Sequence, residues 1–224
     1  MNEPNLARQT NPGDADGVEP RPMSLAEIRD AISEHVDEMD GSSFVNRLLT
    51  ARYRRRLFAD AEGRVLDVAC GTGTNLQYLP ESVAYRGIDV SPEMLIRAED
   101  RFDRLERGET LLEMDAQDLE FDVNSFDTVI SSMSTCMFPE PVAALNQMNR
   151  VCKPDGTVLL VEHGRSSNGL LARVQDWRAD DRYRKMGCRW NQEPLAVVSP
   201  SELEIRDATT GMFGMITAIE ARPE

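Results

Sequence analysis

The stretch VLDVACGTGTNL (Val65–Leu76) decides the fold of this chain. It opens with apolar residues over the length of a short strand, and two glycines, Gly71 and Gly73, then interrupt the pattern. Glycine adopts backbone angles that are closed to other residues and lets a ligand approach the main chain. The residues from about Thr74 predict a helix, whose free N–H groups and positive dipole end would face that ligand. A strand, a glycine turn and a helix in this order are typical of a site for a nucleotide-like cofactor.

The composition fits one domain with an appendage and restricts the partners of the chain. Its 224 residues include 39 acidic and 25 basic residues, which gives a formal net charge of −14. An acidic surface repels phosphates and disfavours a nucleic-acid substrate, although screening in high salt would weaken that repulsion. We find no apolar run long enough to span a bilayer and no signal-peptide pattern, and we expect a cytoplasmic protein. The sequence leaves the oligomeric state open.

The cysteine pattern does not indicate a metal site. No two cysteines form a Cys-x-x-Cys pair, and the only histidines are His35 and His163, so nitrogen ligands are few. We therefore expect structural or reduced thiols and no metal. The four cysteines are Cys70, Cys136, Cys152 and Cys188.

Alternating strand and helix patterns follow the glycine turn. A second strand, Tyr85–Val90, contains the acid Asp89 18 residues beyond Gly71, a spacing at which a carboxylate accepts hydrogen bonds from ribose hydroxyls. Further strands are predicted at 110–114, 126–131, 157–163, 204–208 and 213–220, helices at 92–107, 139–152 and 166–185, and a turn at 153–156. This order predicts an α/β fold, a Rossmann-like doubly wound sheet of about seven strands with the last strand antiparallel.

The first 60 residues are expected to stand apart from this sheet. Residues 1–22 combine proline, glycine and acidic residues and predict a disordered acidic tail. Residues 23–60 predict two helices, the first of which begins at a capping box, Ser24 and Glu27. We interpret the pair as an N-terminal helical lid over a substrate pocket and residues 61–224 as the cofactor-binding domain. The second helix carries four arginines that would either contact an anionic ligand or form a solvated face: Arg52, Arg54, Arg55 and Arg56.

Five blocks of the chain resemble the motifs of class I S-adenosylmethionine (SAM)-dependent methyltransferases, in the order and at the spacing of that family. Ala69 stands where the first motif usually has its first glycine. Leu76 occupies the third glycine position of the dinucleotide-binding pattern, which counts against NAD, and no Gly-Lys-Ser/Thr follows to form a P-loop. The blocks are Asp67–Gly73, Gly87–Leu95, Asp115–Ala116, Ser125–Val129 and Val151–Thr157.

For the methionine part of SAM, the resemblance implies a site at the glycine turn. The turn at Gly71 and Gly73 would lie against this part of the cofactor. Asp67 would orient its amino group, directly or through water. The same cofactor site is expected to include Ala69, Cys70, Val90 and Ser131.

For the nucleoside part, the resemblance implies four residues on the next two strand ends. Asp89 would take the ribose hydroxyls, and Met94 would pack against adenine. Asp115 would accept a hydrogen bond from the adenine amino group, and the N–H of Ala116 would donate to the ring. The alternative for Asp67 or Asp115 taken alone is an acid that caps a turn.

The chemistry of methyl transfer restricts what the rest of the site must supply. The methyl group of a sulfonium is already activated, so orientation matters most, and a base is needed only where the acceptor carries a proton. His163 is the histidine placed at the ligand-facing edge of the sheet, and we predict it as the base; a hydrogen bond to a neighbouring backbone group is the alternative. The candidates at this edge are Ser131, Ser132, Ser134, Glu162 and His163.

The residues around these candidates favour a small-molecule or lipid-like acceptor. Ser131–Ser134 stands where methyltransferases of exocyclic amines carry an Asn/Asp-Pro-Pro-aromatic motif. Val161–Gly164 and Lys185–Asn191 look similar to phospholipid N-methyltransferases and alkyl-thiol methyltransferases. Trp177 and Trp190 would line an apolar pocket or complete the core. Two other functions stay open, a nicotinamide-dependent oxidoreductase and a non-catalytic SAM-binding module.

Overall fold

Seven strands form one sheet in the order β3-β2-β1-β4-β5-β7-β6. The computed structural model describes residues 22–41, 43–105 and 110–224, so the tail predicted for residues 1–22 lies outside the described residues apart from Pro22. The strands are β1 Arg64–Val68, β2 Ala84–Asp89, β3 Thr110–Glu113, β4 Phe126–Ser132, β5 Cys152–His163, β6 Leu203–Gly211 and β7 Ile216–Pro223. The helices are α1 Leu25–Gly41, α2 Ser43–Phe58, α3 Pro92–Arg104, α4 Pro141–Val151, α5 Gly169–Met186 and α6 Pro194–Val198.

The pairing of the strands confirms the Rossmann-like fold. β1 pairs in parallel with β2 and β4, and β3 and β5 extend the parallel part on either side. β7 is antiparallel to both of its neighbours, β5 and β6. The carboxyl ends of β1 to β5 therefore meet at one edge of the sheet, where ligands bind in open α/β sheets.

Helices cover both faces of the central strands, which explains why these strands are apolar almost throughout. On one face, Phe58 of α2 and Phe102 of α3 pack in a buried cluster with Val65 of β1. On the other face, Met148 of α4 packs with Leu66 of β1. The second N-terminal helix thus packs in the core of the sheet.

The segment after the glycine turn differs from the predicted helix. It forms only a short 3₁₀ helix, Leu76–Tyr78, because Pro80 disfavours the helical conformation at Leu79, which is extended with ψ 147°. A full helix dipole behind the turn, expected from the sequence, is therefore absent from this described segment.

The predicted turn at Lys153–Gly156 also differs from the structure. β5 already begins at Cys152, which pairs with Phe126, and the regular register with β4 resumes at Thr157. The four residues between these pairs form an irregularity within the strand, so the proline and glycine mark a bulge instead of the predicted turn.

The capping signals are confirmed at two helices. At α1, the N–H of Glu27 donates to Ser24 Oγ and the N–H of Ser24 donates to the Glu27 carboxylate. At α3, Ser91 Oγ accepts from the N–H of Met94, and Pro92 begins the helix. Within the described ranges, no helix has the length and apolar character needed to cross a membrane.

Candidate active site

A cavity of about 260 Å³ opens at the carboxyl edge of the sheet. Its floor is formed by the segments that follow β1, β2, β3 and β4, and α1 and α5 supply further walls. Of the candidates at the glycine turn and the strand ends, eleven line it: Ala69, Cys70, Gly71, Asp89, Val90, Met94, Asp115, Ala116, Ser132, Ser134 and His163. Three others lie behind its wall: Asp67, Gly73 and Ser131.

The two glycines of the turn face in different directions. Both have positive φ, +55° at Gly71 and +71° at Gly73. A Cβ on Gly71 would meet nothing within 4 Å, whereas a Cβ on Gly73 would lie 2.5 Å from the Phe102 ring and 3.2 Å from Ala98 Cβ. Gly71 thus leaves room in the cavity, and Gly73 allows α3 to pack closely against the turn. In dinucleotide-binding proteins the third glycine of the motif allows this close packing. In this chain Leu76 occupies the third position, and Gly73 allows the packing instead.

Asp89 joins the turn to the end of β2. Its Oδ2 accepts from the N–H of Gly71 at 2.8 Å, and its Oδ1 accepts from the N–H of Ser91 at 3.0 Å. Burial raises the pKa of this carboxyl, and the backbone hydrogen bonds oppose that effect. The carboxylate lines the cavity and has further lone pairs, to which the hydroxyl groups of a ribose could donate.

Asp67 lies directly beneath the turn and is fully buried. Its carboxylate accepts from Asn75 Nδ2 at 3.0 Å and from Tyr85 Oη at 2.9 Å. Asn75 in turn accepts from Ser132 Oγ at 2.9 Å, so the network reaches a residue of the cavity wall. The orienting role of Asp67 towards the cofactor stays a prediction, and its visible role is to hold the turn.

The pKa of Asp67 gives a prediction for stability. Burial raises this pKa from 3.8 to about 7, against the hydrogen bonds of Asn75 and Tyr85. A raised pKa in the folded state favours folding below pH 4, and this contribution is lost as the pH rises through 7. Relative to the Asp67→Asn variant, the free energy of unfolding of the unmodified protein should fall by about 4 kcal/mol over this range.

Chemical denaturation of both proteins at pH 4, 5.5, 7 and 8 measures this difference. Asp60→Asn, at an exposed position, is the matched control and should run parallel to the unmodified protein. A constant difference between Asp67→Asn and the unmodified protein across the series would contradict the prediction.

Asp115 and Ala116 occupy the segment after β3, as predicted. The Asp115 carboxylate accepts from the N–H of Gln117 at 2.9 Å, so it caps its own turn while it lines the cavity. Met94, at the start of α3, packs with Ile28 and Ile32 of α1. The two α1 residues also line the cavity. The first helix therefore forms the wall of the cavity that packs against the start of α3.

Arg54 is the one of the four arginines on the second helix that lines the cavity, and the sequence did not distinguish it from the other three. It is 7% exposed and lines the cavity from α2, and its Nη1 donates to Thr74 Oγ1 at 3.3 Å. Its buried Nε has no partner among the residues that the structure describes. The available signal was the spacing Thr50, Arg54 and Phe58, which places three buried residues on one helical stripe. The other three arginines of the run are exposed.

His163 meets two cysteines at the far side of the cavity. Its Nε2 lies 3.0 Å from Cys136 Sγ and 3.5 Å from Cys188 Sγ, and its Nδ1 lies 3.3 Å from the carbonyl oxygen of Trp190. Burial lowers the pKa of His163, but the hydrogen bond and charge of Cys188 raise it by more. Hydrogen bonds from Cys136 and His163 lower the pKa of the Cys188 thiol. Catalysis by His163 stays a prediction, and the predicted backbone contact is present as well.

Glu162 and Ser131 support the loop that follows β4. The fully buried Glu162 carboxylate accepts from the N–H groups of Ser134 and Thr135, and burial raises its pKa. Ser131 Oγ donates to the carbonyl of Val68 at 2.7 Å and contacts Ser134 Oγ. Glu162 and Ser131 thus hold Ser134, which lines the cavity, without lining it themselves.

The two tryptophans have separate environments. Trp190 packs with Cys188 and Met186, and its Nε1 donates to the carbonyl of Gln175 at 3.0 Å. Trp177 is 81% exposed on α5. The expectation that Trp177 lines a pocket or completes the core is therefore wrong, because its helical position faces solvent.

Residues 66–160 match the family model Methyltransf_11, described as a methyltransferase domain. Methyltransferase OMS1 of Saccharomyces cerevisiae mitochondria is 28% identical over 78% of this chain and 41% of its own length. A phosphatidylethanolamine N-methyltransferase of Cereibacter sphaeroides is 40% identical over 54% of this chain and 63% of its own length. The chain thus spans less than two thirds of either relative.

Solved structures share the fold. One is a chain from the complex between the Haloferax volcanii Trm112 methyltransferase activator and a methyltransferase. It superposes with a TM-score of 0.69 at 19% identity and covers 88% of this chain and 98% of its own length.

The sheet order, the glycine turn with Asp89 and the match of residues 66–160 to a methyltransferase domain are similar to those of class I SAM-dependent methyltransferases. SAM is the cofactor of the site. The residues present fit it, since Gly71 leaves the turn open, Asp89 offers a carboxylate and Arg54 offers a buried cation. The match to a methyltransferase domain counts against the nicotinamide-dependent alternative.

Proposed function

We propose that this protein transfers the methyl group of SAM to a small or lipid-like acceptor. The observation that carries the proposal is one cavity that joins the cofactor turn to an apolar wall. When bound, SAM supplies an activated methyl group whose transfer to a nucleophile leaves S-adenosylhomocysteine. The chain itself holds the cofactor at the turn and excludes water with α1 and the loop after β4.

The acceptor end of the cavity suits an apolar molecule with an anionic group. Its wall is rich in methionine, a side chain that adapts to irregular apolar partners. Arg182 lines the same wall, stacks 5.1 Å from the Trp190 ring, and its Nε has no partner in the described part of the chain. A phosphodiester beside an acyl chain combines the two properties. The apolar wall residues are Met39, Met137, Phe138 and Met186.

An exposed apolar face on α5 supports a lipid source for the acceptor. Trp177 and Leu170 are 81% and 75% exposed, and Val174 lies between them at helical spacing. Exposed Arg173 and Arg178 follow on the same turns. An apolar stripe with arginines beside it is the pattern of helices that lie on a bilayer surface. The relative from Cereibacter sphaeroides, named for phosphatidylethanolamine, agrees with such an acceptor.

The test combines cofactor binding with turnover on defined acceptors. Calorimetry with SAM and S-adenosylhomocysteine measures binding, and formation of S-adenosylhomocysteine is then followed with phosphatidylethanolamine vesicles, with water-soluble amines and with thiols. We expect turnover with the lipid. Arg182→Met should raise the KM for the lipid by roughly tenfold, as expected for loss of a charged hydrogen bond, whereas Arg184→Met, at an exposed position of the same helix, should not.

Each result decides between the open functions. Binding of SAM without product on any acceptor would favour a non-catalytic SAM-binding module. Turnover on soluble amines or thiols alone would contradict the lipid acceptor and retain methyl transfer. Failure of both SAM and S-adenosylhomocysteine to bind the folded protein would contradict the proposal as a whole.

A further inference from the structure

We propose that Cys136, His163 and Cys188 bind a zinc ion through two sulfur atoms and one imidazole nitrogen, with the fourth coordination position facing the cavity. The three ligand atoms lie within 4.8 Å of one another. All three residues line the cavity. The sequence predicts no metal, because the ligands come from three segments that are 25 and 27 residues apart.

The distances between the three atoms approach the edges of a zinc tetrahedron. Zinc binds thiolate sulfur at about 2.3 Å and imidazole nitrogen at about 2.0–2.1 Å, so tetrahedral geometry sets S–S and S–N edges of roughly 3.8 and 3.6 Å. Here the two sulfur atoms are 3.5 Å apart, and Nε2 of His163 lies 3.0 and 3.5 Å from them. Small side-chain shifts therefore suffice to form the site.

The histidine has the tautomer that a metal ligand needs. The Trp190 carbonyl can only accept, so the contact of His163 Nδ1 at 3.3 Å places a ring proton on Nδ1. Metal binding would displace any proton from Nε2, whose lone pair would then be directed at the metal between the two sulfur atoms. The same carbonyl accepts from Gln175 Nε2 at 3.4 Å, which orients it. Support of this kind behind a ligating histidine is typical of zinc sites.

The backbone holds the cysteine segments together independently of any metal. Gly187 ends α5 in the left-handed conformation, with φ +67°, and turns Cys188 towards the sheet. The N–H of Arg189 then donates to the carbonyl of Cys136 at 3.0 Å. The site is thus assembled in advance, and its ligand set of two cysteines and one histidine, with one position left for water or substrate, is a set that catalytic zinc sites use.

Metal titration of the purified protein tests the proposal. Protein stripped with a chelator under reducing conditions is titrated with Co²⁺, which reports thiolate ligands by charge-transfer absorption, and then with Zn²⁺. We expect one Co²⁺ per chain, strong charge-transfer bands, and displacement by one equivalent of Zn²⁺. Cys188→Ser and Cys136→Ser should each lower zinc affinity by roughly 100-fold or more and weaken the charge-transfer bands.

A buried cysteine elsewhere in the fold supplies the matched control. Cys152→Ala removes a thiol at the start of β5, outside the cluster, and should bind metal as the unmodified protein does. Thermal unfolding separates ligand loss from misfolding: zinc should raise the melting temperature of the unmodified protein and of Cys152→Ala, and leave that of Cys188→Ser unchanged.

Three results would overturn the zinc site. These are binding of less than stoichiometric cobalt, binding that survives both Cys136→Ser and Cys188→Ser, and spectra without thiolate charge transfer. A reduced protein that binds no metal and loses two thiols on oxidation would instead assign Cys136 and Cys188 to a disulfide. The measurement is independent of methyl transfer, so either proposal can fail alone.

Discussion

Substitution of Gly73 by alanine is expected to lower the free energy of unfolding by about 2–5 kcal/mol. The φ of +71° is a left-handed conformation that costs a residue with a Cβ about 1–2 kcal/mol. The new methyl group would also overlap the Phe102 ring, 2.5 Å away, and overpacking adds about 1–3 kcal/mol. Phe102 cannot retreat freely, because its ring packs edge-on against Tyr85 at 5.4 Å between centroids. Urea denaturation followed by circular dichroism measures the loss.

Gly71→Ala is the matched variant and should separate binding from folding. It has a similar φ of +55°, but its Cβ would meet no atom within 4 Å. The stability loss should therefore stay near the strain of about 1–2 kcal/mol. The methyl group projects at the cavity, and we expect the affinity for SAM to fall by roughly 100-fold, or about 3 kcal/mol. Equal stability losses in the two variants would contradict the assignment of Gly71 to the cavity and of Gly73 to packing against α3.

Glu162→Ala is expected to lower the free energy of unfolding by about 4 kcal/mol. The change removes the acceptor of the Ser134 and Thr135 N–H groups, 3.2 and 3.4 Å from its carboxylate. Each buried donor left without a partner costs about 1–3 kcal/mol, and the space left by the side chain adds a further penalty. Because these donors belong to the loop that forms one cavity wall, SAM affinity should fall as well. Denaturation and calorimetry measure the two effects.

Glu162→Gln keeps the shape and one acceptor oxygen and serves as the control. Burial raises the pKa of Glu162, which shows that the ionised form is disfavoured here, and glutamine carries no charge. The loss should therefore stay below about 2 kcal/mol, the cost of about one hydrogen bond. A loss as large as that of Glu162→Ala would show that the negative charge, rather than the hydrogen bonds, supports the loop.

The sheet and the cofactor end of the site could be predicted because their signals are local. Val65–Val68 is apolar over strand length except at Asp67, and glycine, proline and serine mark where strands end and helices begin. Asp89 and Asp115 follow strands, and parallel strands bring such positions to one edge. The spacing of Leu76 and Leu79 predicts a longer helix than the structure has, because Pro80 ends it early.

The part of the site formed by Arg54 and the cysteine–histidine cluster depends on tertiary contacts, which the spacing of residues in the sequence does not predict. Arg54 faces the cavity only because α2 packs its stripe of buried residues on the sheet. Cys136, His163 and Cys188 meet because the ends of β4, β5 and α5 converge. Their sequence separations match no short metal motif. The interpretation of residues 23–60 as a lid stays a prediction; α1 lines the cavity along most of its length, whereas α2 contributes Arg54. The cytoplasmic location also stays a prediction.

The position of β7 has a consequence for how the chain reaches its native state. β7 fills the gap between β5 and β6, so the apolar segment Val158–Val161 gains its outer partner only from residues near the carboxyl terminus. A ribosome-bound or proteolysed chain that lacks β7 would present this segment as an open, adhesive edge. Such edges nucleate intermolecular strand pairing. The β5 edge is therefore covered only after synthesis has passed β7, and the last hairpin protects the completed chain from self-association at this edge.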